Sequence, residues 1–236
     1  MNAIILAAGM GSRLGDITKK IPKPMVKIQG KPILEHNILL CKKYGVKEIF
    51  INLHHLPDVI VNYFGDGKKY GVKIHYHYEE EILGTAGALI SFLPYLRNRP
   101  YFVIYGDNYT NIDLRLLSEF HKNKSDFTIA MHARSNIKQS GVLEFFNNNK
   151  IIHYIEKPLS QETDSYWVNA GVYLINPGLI EGILKKGMDF GEDIIPRLIE
   201  KNVNVIGYKL ENNIIAIDTP EMLNKQLRLN YEEGIK

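Results

Sequence analysis

The sequence predicts an α/β fold: a Rossmann-like mixed β-sheet flanked by helices, with antiparallel strands added in the second half. Three observations carry that expectation. Short apolar, β-rich runs alternate with segments of helical period through the first half of the chain. From Phe127 the rhythm changes to strand-like runs that follow one another with turn residues between them. The composition, 45% hydrophobic and 23% charged over 236 residues, is that of a globular protein and not of a disordered scaffold. We read residues 1–236 as a single domain, with halves 1–125 and 126–236.

Each element has a local reason. Ala3–Ala8 is an apolar run suited to a strand buried on both faces, and a Gly-rich basic loop follows it to about Lys31. Pro32 opens a helix with Leu34, Ile38, Cys41 and Tyr44 on one face, stopped at Gly45. Glu48–Leu53 reads as a strand and Pro57–Phe64 as a helix closed by Gly65. Val72, Ile74, Tyr76 and Tyr78 alternate with Lys73, His75 and His77, the pattern of a half-exposed strand. Thr85–Leu93 reads as a helix ended by Pro94, and Tyr101–Tyr105 as a buried strand running into Gly106-Asp107. Leu114–Lys122 is helical in pattern. Strands are then expected at Phe127–His132, Val142–Phe146, Ile151–Glu156 and Trp167–Ile175, with helices at Pro177–Leu184 and Glu192–Lys201. Strands Val203–Leu210 and Ile214–Ile217 precede a final helix from Thr219. Open sheets of this kind bind ligands beyond the C-terminal ends of their strands, where Gly9 and Asp107 fall.

Charge and cysteine content narrow the partners. The 29 basic and 26 acidic residues leave a net charge of +3, too mild for a nucleic-acid-binding face. With Cys41 alone, neither an internal disulfide nor a multi-cysteine metal cluster can form. Met1–Leu6 lacks a basic leader and its apolar run stops at Gly9, so it reads as neither signal peptide nor membrane anchor. A cytoplasmic protein without nucleic-acid or membrane partners is expected, and homo-oligomerisation stays open. His54-His55 lacks a recognisable third metal ligand, Cys41 reads as core, and Lys19-Lys20 and Lys42-Lys43 read as solvated surface.

The first chemical constellation is Leu6-Ala7-Ala8-Gly9-Met10-Gly11-Ser12-Arg13, with Lys23 ten residues beyond Arg13 in Pro22-Lys23-Pro24. Glycines after a first strand let backbone N–H groups approach phosphate oxygens. Leu14 stands where a dinucleotide fingerprint needs its third glycine, which disfavours a nicotinamide-dependent dehydrogenase, and no Gly-Lys-Ser/Thr follows to make a P-loop. What remains is a phosphate cradle with a guanidinium in the loop and an ammonium downstream.

Ala7-Ala8-Gly9-Met10-Gly11-Ser12-Arg13-Leu14 with Ile21-Pro22-Lys23-Pro24-Met25 resembles the signature of the sugar-1-phosphate nucleotidylyltransferases. These enzymes join a nucleoside triphosphate to a sugar 1-phosphate and release pyrophosphate. The resemblance continues through Asn52-Leu53-His54-His55-Leu56, Tyr63-Phe64-Gly65-Asp66-Gly67, Leu83-Gly84-Thr85-Ala86-Gly87-Ala88-Leu89 and Gly106-Asp107. It ends with Glu156-Lys157-Pro158, Asn169-Ala170-Gly171-Val172-Tyr173 and Asp218-Thr219-Pro220. It implies a nucleotide-diphospho-sugar transferase type of fold, nucleotide-binding over 1–125 and sugar-binding over 126–236. The pattern is most similar to guanylyltransferases acting on mannose- or heptose-type 1-phosphates, which supply activated sugars for surface glycans such as capsule or lipopolysaccharide. Uridylyl-, thymidylyl- and cytidylyltransferases of the same fold stay open, as does a non-catalytic nucleotide-sugar-binding regulatory subunit.

The chemistry explains the residue types. A sugar phosphate attacking the α-phosphorus of a triphosphate sets anion upon anion. At ~4 Å and an effective dielectric near 20, each pair of unit charges repels by roughly 4 kcal/mol. Such a site needs distributed positive charge and a metal, here Mg²⁺. By resemblance, Arg13 and Lys23 hold the β- and γ-phosphates and stabilise departing pyrophosphate, while Lys157 holds the sugar phosphate in line. No general base is required, because a phosphate oxygen is already ionised. The resemblance also assigns nucleotide binding to Leu6, Ala7, Ala8, Gly9, Met10, Gly11 and Ser12, with Glu79 reading the base and Gly84 and Thr85 packing around base and ribose. Asp107 suits Mg²⁺, and Asp218 fits the family's second metal ligand, although Pro220 stands where the family often has glycine. For the sugar it points to Gly141 through its main chain, Glu156 and Asn169, with Ser140-Gly141 where the family usually carries Tyr-Gly.

Overall fold

The computed structural model describes residues 1–96, 98–122, 124–159, 162–211, 214–217 and 221–223. In chain order its elements are β1 (Asn2–Leu6), β2 (Lys27–Ile28), β3 (Lys31–Pro32), α1 (Ile33–Lys43), β4 (Glu48–Leu53), α2 (Pro57–Phe64), β5 (Lys73–Tyr78), β6 (Tyr101–Tyr105) and β7 (Asn108–Tyr109). There follow α3 (Leu114–Lys122), β8 (Phe127–Ala133), β9 (Gly141–Phe145), β10 (Ile151–Glu156), β11 (Trp167–Ile175), α4 (Ile195–Glu200), β12 (Val205–Lys209) and β13 (Ile215–Ala216). The fold is the mixed α/β architecture expected. The residues group into two compact units interleaved along the sequence. One comprises Ala3–Ile82, Ile104–Asn111 and Ile215–Lys236; the other Met1–Asn2, Leu83–Val103 and Ile112–Ile214.

In the first unit, Ala3, Ile4 and Ile5 of β1 are wholly buried, which is why that run carries no polar residue. β4 and β5 pair in parallel from Glu48↔Lys73 to Leu53↔Tyr78. Helix α1 buries Leu34, Ile38 and Cys41 of its expected face and Ile33 besides, whereas Tyr44 caps the helix and is half-buried; α2 buries Ile60 and Phe64. Burial pushes the Cys41 thiol up to about 12, so it is an inert core residue.

The stretch expected as a basic loop is more ordered than its composition suggests. It holds 3₁₀ turns at Ser12–Ile17 and Lys23–Met25 and the β2–β3 hairpin. Gln29 and Gly30 at the hairpin tip both take positive φ, 51° and 78°, as a type I′ turn requires. Leu14, Val26, Ile28, Ile33, Ile217 and Leu223 form a separate small core beneath it. Each fully buried aliphatic side chain of this kind contributes roughly 1.5–3 kcal/mol, enough to hold the loop in one shape.

In the second unit β11 pairs antiparallel with β8 and β9, and β9 with β10, while β12 runs parallel to β8. The rings of Phe127, Tyr173 and Phe190 pack together at centroid distances of 4.8–6.1 Å. Three helices expected here are corrected. Thr85–Leu93 is not an α-helix: Gly87–Tyr95 forms 3₁₀ turns with Pro94 inside. The N–H groups of Ala86 and Gly87 are both taken by the Met188 carbonyl, so that end is tied to another segment. Pro177–Leu184 forms only short turns, with Gly178 at φ 83° interrupting it. Glu192–Lys201 begins as a π-helical turn, Phe190–Ile194, and becomes α-helical only over Ile195–Glu200. Pro196 is the cause, because its ring would meet the carbonyl four residues back in a regular α-helix. Thr219, where the last helix was expected to begin, lies outside the described residues.

Candidate active site

The glycine-containing loop leaves β1 with Ala7 and Ala8 buried and Gly9, Met10, Ser12 and Arg13 exposed. Gly11 sits at φ 63°, and a Cβ there would come within 2.9 Å of both Lys23 Cβ and Thr18 Cγ2. Only glycine lets Lys23 pass so close beneath the turn. The Thr18 hydroxyl donates to the carbonyls of Gly11 and Gly15, both at 3.1 Å. His55 Nε2 donates in turn to the Thr18 carbonyl at 2.6 Å, closing the loop from the end of β4. Gly9 is different: a Cβ there would meet nothing within 4 Å, and its φ is not left-handed. The fold therefore makes no demand for glycine at position 9.

Lys23 is 6% exposed, and its Nζ meets Asp107 Oδ2 at 2.5 Å. Gly106 explains how Asp107 arrives there. Its N–H donates to the Leu6 carbonyl at 2.8 Å, and a Cβ on it would come within 2.7 Å of that oxygen. The ends of β1 and β6 thus lie close, and Asp107 is set beside the glycine-containing loop. A buried ammonium and a carboxylate compensate each other, and removing either leaves the other's charge exposed to the interior.

Asp107 also fits a divalent cation. Its side chain is 30% exposed. Mg²⁺ asks for one or two carboxylates and fills its other positions with waters and phosphate oxygens. No group of three or more His, Cys, Asp or Glu converges among the described residues, so they build no all-protein cage. Asp218, the other expected ligand, lies outside the described residues.

Glu79 is 2% exposed, whereas Glu80 and Glu81 are exposed; only the latter two are a solvated charge run. Asn52 Nδ2 donates to Glu79 Oε1 at 2.8 Å, while Asn52 Oδ1 accepts from the Ala7 N–H at 2.9 Å. One buried amide therefore ties the start of the glycine-containing loop to the Glu79 carboxylate. His54 Nδ1 donates to the Glu79 carbonyl at 2.7 Å. The two histidines are anchors for neighbouring segments, as their carbonyl acceptors require an N–H on each.

In the second unit, Gly84 has φ 77°, and any Cβ there would collide with the Met188 carbonyl. The Thr85 N–H and hydroxyl both donate to Asp189 Oδ1, at 2.8 and 2.7 Å, and the Phe190 N–H donates to the Thr85 hydroxyl at 2.9 Å. Gly84 and Thr85 are thus braced against 188–190 by their own unit.

The three expected sugar residues come together. Gly141 pairs with Glu156 across β9 and β10. The Tyr154 hydroxyl donates to Glu156 Oε2 at 3.1 Å and accepts from Asn169 Nδ2 at 3.2 Å. Asn169 also donates to Tyr173 Oη at 2.6 Å and accepts from the Gly171 N–H at 2.9 Å, inside an irregularity of the β11–β8 ladder. Lys157 Nζ lies 3.4 Å from Glu156 Oε1. The Lys157 backbone holds φ 48°, an unusual conformation for a residue before proline, and its N–H donates to the Ser140 carbonyl at 3.1 Å.

Arg13, Lys23 and Asp107 belong to the first unit and Lys157 to the second. The sequence reading gives no site role to Tyr154 or Asp189 and quotes Asn52 only within a motif. Asn52 and Asp189 are polar residues whose partners are remote in sequence, and Tyr154 shares with Glu156 the period of two that puts both on one face of β10.

The fold is that of the nucleotide-diphospho-sugar transferases. Residues 2–213 match the family model described as nucleotidyl transferase, and the chain belongs to that family. A UTP–glucose-1-phosphate uridylyltransferase from Synechocystis sp. is 34% identical over 86% of this chain and 56% of its own length. A D-glycero-α-D-manno-heptose 1-phosphate guanylyltransferase from Campylobacter jejuni is 36% identical over 74% of this chain and 76% of its own. The chain thus spans little more than half of the first relative. HddC from Yersinia pseudotuberculosis, solved as a complex with GMP-PN, superposes with a TM-score of 0.81 at 26% identity, covering 97% of this chain and 98% of that one.

Proposed function

We propose that this chain joins a nucleoside triphosphate, GTP by preference, to a sugar 1-phosphate of mannose or heptose type, giving a nucleotide-diphosphate sugar and pyrophosphate. A phosphate oxygen of the sugar 1-phosphate forms the new bond to the α-phosphorus. The bond from that phosphorus to the oxygen bridging to the β-phosphate breaks, and pyrophosphate leaves with the electron pair. The observation that carries the reading is the Lys23–Asp107 pair held directly against the glycine turn at Gly11. A cation and a metal-suited carboxylate beside a loop built around glycines are what a triphosphate requires.

In this reading Leu6 to Ser12 cradle the phosphates, and Arg13 and Lys23 hold the β- and γ-phosphates and neutralise the leaving pyrophosphate. Lys157 orients the sugar phosphate, its backbone constraint being the kind found where a side chain must be aimed. Glu79 accepts from the base edge, Gly84 and Thr85 shape the base and ribose site, and Gly141, Glu156 and Asn169 bind the sugar. Asp107, with Asp218, would hold Mg²⁺. That ion supplies charge neutralisation of the triphosphate when bound. Working on soluble phosphates, with Cys41 a free buried thiol, the enzyme is read as cytoplasmic.

The guanine preference is supported by a carboxylate at Glu79, which suits the two donors on guanine, N1–H and N2–H. The Synechocystis relative favours a second reading, transfer from UTP. The test is a matrix of GTP, UTP, CTP, TTP and ATP against hexose and heptose 1-phosphates, followed by pyrophosphate release. Turnover with GTP and a manno-configured sugar is expected; a preference for UTP selects the second reading. Nucleotide-sugar binding without any turnover would select a regulatory subunit.

A further inference from the structure

We propose that Tyr154 is a positioning residue for the sugar phosphate: its hydroxyl locks Glu156 and Asn169 into one preorganised unit that sets which sugar epimers bind. This deepens the reading above and rests on it.

Tyr154 and Glu156 are two apart on β10 and share a face of the sheet. Glu156 lies opposite Gly141 on β9, the strand between β10 and β11, and Asn169 is on β11. A tyrosine on β10 can reach a residue on β11 only by crossing the strand between them. Gly141 allows this. A Cβ added there would come within 1.8 Å of the Tyr154 hydroxyl and 2.8 Å of Glu156 Oε2.

A second glycine bounds the same hydroxyl. Gly191, in the π-helical turn Phe190–Ile194, would place a Cβ 2.7 Å from Glu156 Oε2 and 2.9 Å from Tyr154 Oη. Single π-helical turns recur at functional sites, where they re-aim backbone toward a ligand.

The hydroxyl's hydrogen bonds are directional. It donates to Glu156 Oε2 and accepts from Asn169 Nδ2, while Gly171 N–H and Tyr173 Oη fix the rest of the Asn169 amide. Tyr154, Glu156 and Asn169 are all half-buried, so the cluster borders solvent. Fixed donors and acceptors discriminate an axial from an equatorial hydroxyl; loose ones do not. Without the Tyr154 hydroxyl, Glu156 and Asn169 lose their common reference.

The experiment compares wild type, Tyr154→Phe and Gly191→Ala by steady-state pyrophosphate release with manno- and gluco-configured sugar 1-phosphates, alongside unfolding midpoints. Tyr154→Phe keeps the ring and removes only the hydroxyl. The expected result is a KM for the preferred sugar 1-phosphate raised about tenfold, the loss of one hydrogen bond to a charged group. The KM for the triphosphate should stay within twofold, and discrimination between the epimers should narrow. Gly191→Ala should raise the same KM by displacing the Glu156 carboxylate and the Tyr154 hydroxyl together. A sugar KM that stays unchanged or falls in Tyr154→Phe overturns the inference and leaves the transferase reading standing. Equal rises in both KM values with a lowered midpoint also overturn it, since a merely structural role behaves that way. Wild-type protein that turns over no sugar 1-phosphate overturns both.

Discussion

Gly9 and Gly11 lie two apart in one loop, yet the structure asks quite different things of them. Alanine at Gly11 meets two penalties. Holding φ 63° costs a side chain about 1 kcal/mol or more. Its Cβ would also press on Lys23 Cβ and Thr18 Cγ2, both 2.9 Å away, an overpacking worth roughly 1–3 kcal/mol. The sum is about 3 kcal/mol, which for a chain of this size lowers the unfolding midpoint by roughly 6–12 °C. Alanine at Gly9 meets no protein atom within 4 Å, so its midpoint should be unchanged or slightly raised. If the backbone there is where a phosphate approaches, the added methyl instead raises the triphosphate KM, by about tenfold for one displaced charge-assisted hydrogen bond. Thermal unfolding and pyrophosphate-release kinetics on Gly9→Ala and Gly11→Ala separate the two effects. Equal stability losses, or a Gly9→Ala variant with wild-type triphosphate KM, would refute the reasoning.

Three further predictions concern the supports of the site. Thr85→Val removes a donor to Asp189 and an acceptor from the Phe190 N–H, and should cost about 1–3 kcal/mol in urea unfolding, whereas Thr85→Ser should keep most of it. Asn52→Ala strips a partner from both the Ala7 N–H and the Glu79 carboxylate, so a loss of roughly 2–4 kcal/mol is expected together with a higher GTP KM; a neutral variant would dissolve the proposed link between loop and carboxylate. His121 is buried between Thr128 and Asn176, and burial lowers its pKa below the usual 6.5. The unfolded chain then takes up a proton that the folded one refuses, so stability is lost as pH falls below about 6.5, by up to ~1.4 kcal/mol per pH unit. His121→Gln should flatten that part of the profile in unfolding measured between pH 7 and 5.

Much of the fold was legible because single runs of residues specify it. Glu48–Leu53, Pro57–Phe64, Tyr101–Tyr105 and Trp167–Ile175 form elements with those very bounds, since apolar period and Gly or Pro punctuation agree there. What was not legible depends on partners far away in sequence. The segment expected as a helix over Thr85–Leu93 is tied down by remote residues, Met188 and Asp189, which accept the N–H groups of Thr85, Ala86 and Gly87. The order of the basic loop comes from Leu14 and Val26 packing with Ile217 and Leu223, some two hundred residues later in the chain. At the site, Lys23 and Asp107 were readable as residue types, but their direct contact follows from Gly106 meeting the end of β1. Tyr154 gave no signal of its own; only the absence of side chains at Gly141 and Gly191 makes room for its hydroxyl.

The most direct test of the phosphate site is the rate of pyrophosphate release by Asp107→Asn at saturating GTP, sugar 1-phosphate and Mg²⁺. Asparagine keeps an acceptor for Lys23 but leaves its buried ammonium without a compensating charge, so the unfolding midpoint should fall by roughly 6–20 °C with the fold retained at assay temperature, while the rate should fall by about a hundredfold to a thousandfold or more. A variant that releases pyrophosphate at nearly the wild-type rate would contradict the account.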